Sequence, residues 1–258
     1  MSEHDPNDQT ARTDELELWA NQQLLTDQPT GPVSLRDRIN RLVSEGRRRA
    51  RDRELADGAL DWFADRLFGR GLDTSGRAVF VEHTLGDRKG YAPTAWHVVP
   101  RALRYIGVSG RDTFIDFGCG KGRVVHQAAR WPFHRVIGVE VSPKLAETAR
   151  AGLAARRHRY RSQNVEIVVA DATQYEIPDD LTIGFFYRPF GPESMEAVLR
   201  RIVASIDRHP RRVSLIYVAP QDGSLAAVRA TGRFRLVKDQ ASSVFNRRTD
   251  RVAIFESY

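Results

Sequence analysis

The chain has 258 residues, of which 41% are hydrophobic, and carries 40 Lys+Arg against 33 Asp+Glu for a formal net charge of +7. That length holds one good core plus an extension, and no apolar run approaches the roughly 20 residues of a membrane span. The single cysteine excludes an internal disulfide and fits a reducing, cytoplasmic setting, and no Cys/His spacing suggests a metal. The segment 1–13 is polar and charged without apolar periodicity, so it is expected to be a disordered tail, unlike a secretory signal. From 14 to 90 apolar clusters recur at helical spacing. Leu16, Leu18, Trp19, Leu24 and Leu25 form the first, Leu35, Ile39, Leu42 and Val43 the second, and Leu55, Leu60, Trp62, Phe63, Leu67 and Phe68 the third. Helices this short need a partner surface. They either roof the core or build a dimer interface, and the sequence leaves both readings and the oligomeric state open.

The main domain is expected over 91–258. It opens on Tyr91-Ala-Pro-Thr94-Ala-Trp96-His97, which reads either as a lid over a ligand or as a helix start with Thr94 as cap and Trp96 as core anchor. A strand-forming run at 113–117 carries Asp116 near its end, then breaks into glycines at alternate positions, Gly118, Gly120 and Gly122, with Cys119 between two of them. Apolar, helix-compatible residues follow immediately. Lacking a Cβ, such a turn lets a ligand approach the backbone closely. Dinucleotide enzymes require G-x-G-x-x-G at this place, and here Arg123 stands at the third glycine position, so that fingerprint fails.

The next elements repeat one theme. A buried strand at 135–140 ends in Glu140, 22 residues after Gly118, where a carboxylate accepts hydrogen bonds from a ribose diol. Ser142 and Pro143 supply an N-cap and a first-turn proline for the following helix. A third strand at 165–170 leads to Asp171-Ala172. A fourth at 181–187 runs into Arg188-Pro189-Phe190-Gly191-Pro192-Glu193. A helix at 192–206 buries Met195, Val198, Leu199, Ile202 and Val203 on one face. A strand at 213–218, a short helix at 223–230 and an antiparallel pair at 234–238 and 252–255, joined through Asn246, complete the chain. This alternation predicts a Rossmann-like, seven-stranded, mostly parallel sheet with helices on both faces. Ligands then bind beyond the carboxyl ends of its strands.

The run Asp116-x-Gly118-x-Gly120-x-Gly122, with the acids that follow in order, resembles motif I and its sequels in the class I S-adenosylmethionine (SAM) methyltransferases. The resemblance covers about the last 170 residues. It implies SAM as cofactor, held by Asp116, Gly118, Cys119, Gly120, Gly122, Glu140, Asp171 and Ala172, with Tyr91 and Thr94 in a lid over its methionine end. Cys119 reads as a small buried residue with no nucleophilic role.

The acceptor is less clearly written. Tyr187, Arg188 and Phe190 stand at the family's motif IV and, with His97 as the one candidate base, are the candidate catalytic residues. Amino-group methylases of nucleic-acid bases place Asp or Asn where this chain has Arg188. Arginine has no hydrogen-bond acceptor, which counts against a nucleic-acid acceptor. The stretch Phe190-Gly-Pro-Glu193 is distantly similar to the non-SET histone lysine methyltransferases, where an Asn precedes the aromatic. Arg188 breaks that match too, and could instead hold an acidic acceptor bidentately. Basic charge is a weak guide, since 36 of the 40 basic residues are arginines, the bias of a GC-rich genome. The runs at 47–53 and 156–161 read as solvated faces. The leading expectation is therefore a methyltransferase acting on a small molecule or a peptide or protein side chain. Behind it stand a nucleic-acid methyltransferase and a non-catalytic SAM-binding protein.

Overall fold

The computed structural model describes residues 93–241 and 251–258. The expected tail at 1–13, the helical extension at 14–90, Tyr91 and the loop through Asn246 lie outside the described residues. In chain order the elements are α1 (Val98–Ile106), β1 (Thr113–Phe117), α2 (Arg123–Ala129), β2 (Arg135–Glu140), α3 (Pro143–Ala154), a short 3-10 turn (Arg157–Arg159) and β3 (Asn164–Val169). There follow β4 (Leu181–Tyr187), α4 (Pro192–Arg208), β5 (Ser214–Val218), α5 (Asp222–Ala230), β6 (Phe234–Ala241) and β7 (Arg251–Ser257).

The strands form one seven-stranded sheet in the order β3-β2-β1-β4-β5-β7-β6. The pairs from β3 to β5 are parallel, and β7 runs antiparallel to both β5 and β6. From β1 the chain first builds outward through β2 and β3, then returns to lay β4 on the other side of β1. Strand order therefore reverses between β1 and β4, which opens a crevice at their carboxyl ends.

Alternation along the strands explains the two layers. Phe114, Val136, Ile167, Ile183, Phe185 and Ile216 face one side and meet α1, α2 and α3. Their neighbours Ile115, Phe117, Ile137, Phe186, Leu215 and Tyr217 face the other and meet α4 and α5. β1 and β5 are buried at every position, with Thr113, Asp116 and Ser214 the polar residues among them. Phe117 and Phe186, partners in the β1–β4 register, stack with ring centroids 4.9 Å apart and an interplanar angle of 8°. Burying each such ring contributes about 1.5–3 kcal/mol.

The sequence signals for helix starts are realised. Ser142 accepts from the Leu145 N–H at the start of α3, with Pro143 next. Gly191 precedes Pro192 at the start of α4. The expected face of α4 is buried, except that Val203 is only half-buried at its edge.

Much of the arginine content is engaged within the fold. Arg135, Arg208, Arg233 and Arg251 pair with Asp180, Asp179, Asp207 and Asp239. Arg150, Arg201 and Arg211 donate to the carbonyls of Ile167, Thr173 and Leu181. No described helix is long and apolar enough to cross a membrane.

Candidate active site

The glycine turn leaves β1 and bends toward β2. The N–H groups of Gly118 and Cys119 both donate to the Val139 carbonyl, at 2.8 and 3.0 Å, and Gly122 donates back to Cys119 at 2.9 Å. Gly118, Gly120 and Gly122 have φ of 79°, 53° and 79°, a left-handed backbone that side chains resist. At Gly118 space matters as well, because an added Cβ would lie 2.6 Å from Pro189 Cβ. The glycine turn after β1 and the segment after β4 are therefore in direct contact across the crevice.

Glu140, the last residue of β2, is buried, and its carboxylate joins this turn. Oε2 accepts from the Gly120 N–H at 2.8 Å, and Oε1 accepts from the Ser142 N–H at 2.9 Å. Each oxygen still has lone-pair capacity for a ligand hydroxyl. Burial pushes the Glu140 carboxyl above its ordinary value, against the opposing pull of the Ser142, Gly120 and Val141 N–H groups. Asp116 is also buried. Its carboxyl is raised well above the usual range by burial and, secondarily, by the charge of Glu140. The charge of Glu140 thus adds to burial in disfavouring ionisation of Asp116.

Cys119 turns inward. A Cβ added at Gly138 would lie 2.7 Å from Cys119 Sγ, so the thiol occupies the space that the missing side chain leaves. Burial raises its pKa well above the usual thiol value, which keeps it protonated. At the end of β3, Asp171 Oδ1 accepts from both the N–H and the hydroxyl of Thr173, at 2.9 and 2.8 Å. That turn fixes the loop in which Ala172 is buried.

The segment before β1 behaves as a helix start. Trp96 is buried and α1 begins at Val98. Thr94 is not the cap: His97 occupies that position without a side-chain cap bond. The His97 ring is exposed. Thr94 is buried and its carbonyl accepts from Arg123 at 3.1 Å, while the Arg123 guanidinium lies 5.2 Å from the centre of the Trp96 ring. Arg123, legible in the sequence only as a broken dinucleotide pattern, thus ties this segment to the first turn of α2. Its signal was an arginine at a helix N-terminus, where positive charge is unfavourable unless otherwise engaged.

Beyond β4 the three motif IV residues take different positions. Tyr187 is half-buried against the core on the α1–α3 side, and Phe190 is buried on the other, edge-on to Phe186. Arg188 between them has a φ of 43°, an uncommon left-handed conformation for a non-glycine residue. At the end of the neighbouring strand β5, Ala219 does the same with a φ of 48°. Neither strained position was legible in the sequence, nor was the contact between Gly118 and Pro189. Among the described residues no cluster of three or more His, Cys, Asp or Glu could hold a metal.

Residues 114–208 match a family model described as a methyltransferase domain. A protein-lysine N-methyltransferase of Saccharolobus islandicus (strain REY15A) is 32% identical over 89 residues, covering 32% of this chain and 55% of that protein. The H3 lysine-79 specific histone-lysine N-methyltransferase of Drosophila melanogaster is 43% identical over 51 residues, 19% of this chain and 3% of that protein. The chain thus spans about half the length of the first curated relative and a small part of the second. Among solved structures, an RNA methyltransferase from Salinibacter ruber in complex with S-adenosyl-L-homocysteine (SAH) overlays with 19% identity. The overlay covers 64% of this chain and 92% of that one, with a TM-score of 0.45.

Proposed function

Residues 114–208 belong to a class I SAM-dependent methyltransferase domain, and from that premise we propose that the chain transfers the sulfonium methyl group to a small molecule or to a peptide or protein side chain. The observation that carries the reading is the Glu140 carboxylate, bonded to the Gly120 N–H at 2.8 Å where the crevice opens. One acid and one glycine turn, held in register by a hydrogen bond, form a receptor for a nucleoside. Glu140 takes the ribose diol, the backbone of 118–122 takes the amino-acid end, and the Asp171–Ala172 loop borders the base. Cys119 contributes its backbone alone.

When bound, SAM supplies an electrophilic methyl group on a sulfonium that loses its charge as the methyl leaves. The chain's part is alignment and shelter, with orientation as the largest contribution. Glu140 provides negative charge that favours the cation before transfer, while buried Asp116 favours its neutral form. Arg188 borders the acceptor side, held between Tyr187 and Phe190, which pack on opposite faces of the sheet. His97, exposed at the start of α1, is the candidate base where the acceptor must lose a proton.

The two curated relatives act on lysine by their names, which favours a peptide or protein acceptor over a nucleic acid. Arg188, with no acceptor atom for a base amine, points the same way. The test is methyl transfer from radiolabelled SAM to cell extract separated into small-molecule, protein and nucleic-acid fractions, followed by mass spectrometry of the labelled fraction. Label in the first or second supports the reading. Label confined to nucleic acid, or no label with SAM bound, overturns it.

A further inference from the structure

Resting on the methyltransferase reading, we propose that the methyl acceptor is anionic and that Arg188 is the residue that grips its carboxylate or phosphate, with Tyr217 as a positioning residue beneath it. Four observations converge on this corner of the crevice.

The first is place. Arg188 directly follows β4 and precedes Pro189, whose Cβ sits against Gly118. The contact fixes position 188 beside the glycine turn, on the acceptor side of the expected methyl group. The second is strain. A non-glycine φ of 43° costs free energy, and Ala219, after the residue that pairs with Tyr187 in the β4–β5 register, carries a second such φ. Conformations of this kind persist where surrounding structure enforces them, and they gather at functional sites.

The third is charge without a partner. Arg188 is half-buried, and among the described residues no carboxylate pairs with it. Nearby, the N-termini of α4 and α5 abut, since a Cβ added at Gly223 would lie 3.1 Å from Pro192 Cγ. Converging helix N-termini add positive potential to the same corner. Glu193, the acid in the first turn of α4, is exposed.

The fourth is the pair of hydroxyls under the arginine. Tyr217 is 1% exposed and Ser224 0% exposed, and neither hydroxyl has a hydrogen-bond partner. Burial pushes the Tyr217 phenol up, and the Ser224 hydroxyl and the Arg188 charge pull it back. Unsatisfied buried hydroxyls are costly, and an arginine held down by a bound anion gives the Tyr217 oxygen the donor it lacks.

The experiment uses the full chain and two probes, inorganic phosphate and succinate, titrated calorimetrically with and without saturating SAH. Wild type should bind at least one probe saturably, and which one binds distinguishes a phosphorylated from a carboxylated acceptor. Arg188→Gly tolerates the left-handed φ, so it should keep its fold and its SAH affinity while anion binding weakens about tenfold or more. Arg188→Lys should retain part of the binding, and Tyr217→Phe should weaken it by a smaller factor with an unchanged melting temperature. Undiminished anion binding in Arg188→Gly, or no saturable binding of either probe to wild type, overturns the proposal. A parallel loss of SAH affinity in Arg188→Gly also overturns it, because the guanidinium would then serve the cofactor's own carboxylate. Failure of SAH to bind wild type counts against the cofactor site instead, and the titrations without SAH still decide the role of Arg188.

Discussion

The N–H of Gly120 donates to Oε2 of Glu140 at 2.8 Å, across the gap between the glycine turn after β1 and the end of β2. Twenty residues separate the two in sequence, and only parallel pairing of β1 with β2 brings them together. Because the second oxygen is held by the Ser142 N–H, the carboxylate is oriented before a ligand arrives. A preoriented acceptor loses little entropy on binding a diol.

Glu140→Ala should therefore weaken SAH binding by about 1.5–3 kcal/mol, the value of a hydrogen bond to a charged group. The same change leaves the buried Gly120 N–H and the part-buried Ser142 N–H without their acceptor, so the melting temperature should also fall. Calorimetry with SAH, beside a thermal melt, reads both effects. Unchanged affinity would remove Glu140 from the site.

Gly118→Ala places a Cβ 2.6 Å from Pro189 Cβ at a φ of 79°. SAH binding should be lost, because either the turn or the 188–190 segment must move. Adding Pro189→Gly should restore part of the binding by removing the clash, while the strain of the left-handed φ remains. A double-mutant cycle measures the coupling. Strictly additive losses would mean the two segments do not press on each other.

Those two contacts mark the boundary of what the sequence disclosed. The strands, their order of use and the carboxylates at their ends were legible, because Glu140 and Asp171 each close a strand-forming run and Asp116 stands one residue before the end of its own. The span of β4, residues 181–187, matched, since Asp180 before it and Arg188-Pro189 after it are clear breaks. Packing between distant segments was not legible. Nothing local in Arg123, Pro189 or Tyr217 states that they meet Trp96, Gly118 and Ser224. The left-handed backbone at Arg188 and Ala219 was also hidden, because neither residue type announces that conformation. Likewise His126 drew no notice as one more residue of an apolar helix, although it proves to be wholly enclosed.

His126 sits between Trp96 and Tyr160, with Nδ1 2.8 Å from the Tyr160 hydroxyl. Burial, then Arg130, Arg156 and Arg159, lower its pKa from the ordinary 6.5 to about 3. The folded chain thus excludes a proton that the unfolded chain accepts. The associated stability is complete above pH 6.5 and is lost as pH falls toward 3, at about 1.4 kcal/mol per unit. His126→Phe should flatten that part of the pH–stability curve whatever it does to absolute stability. Urea melts between pH 7 and 4 provide the comparison, and parallel slopes in the two proteins would refute the assignment.

Asp116 predicts the opposite trend. Its carboxyl is raised by burial and by Glu140, so the folded chain favours the protonated form. The favourable contribution is present below the unfolded pKa and is lost as pH rises through the folded one. Asp116→Asn should gain stability relative to wild type as pH increases from acid to neutral. A difference independent of pH would show that Asp116 does not titrate in the fold.

The most direct test of the account is a calorimetric titration of the full chain with SAH, set beside the same titration with NAD. The structure predicts saturable, one-to-one binding of SAH that weakens sharply in Glu140→Ala, and no binding of NAD, since Arg123 occupies the place of the third glycine. Absence of SAH binding to wild type, or binding of equal strength in Glu140→Ala, would contradict the proposal that the Gly118–Gly122 turn and Glu140 together hold the cofactor.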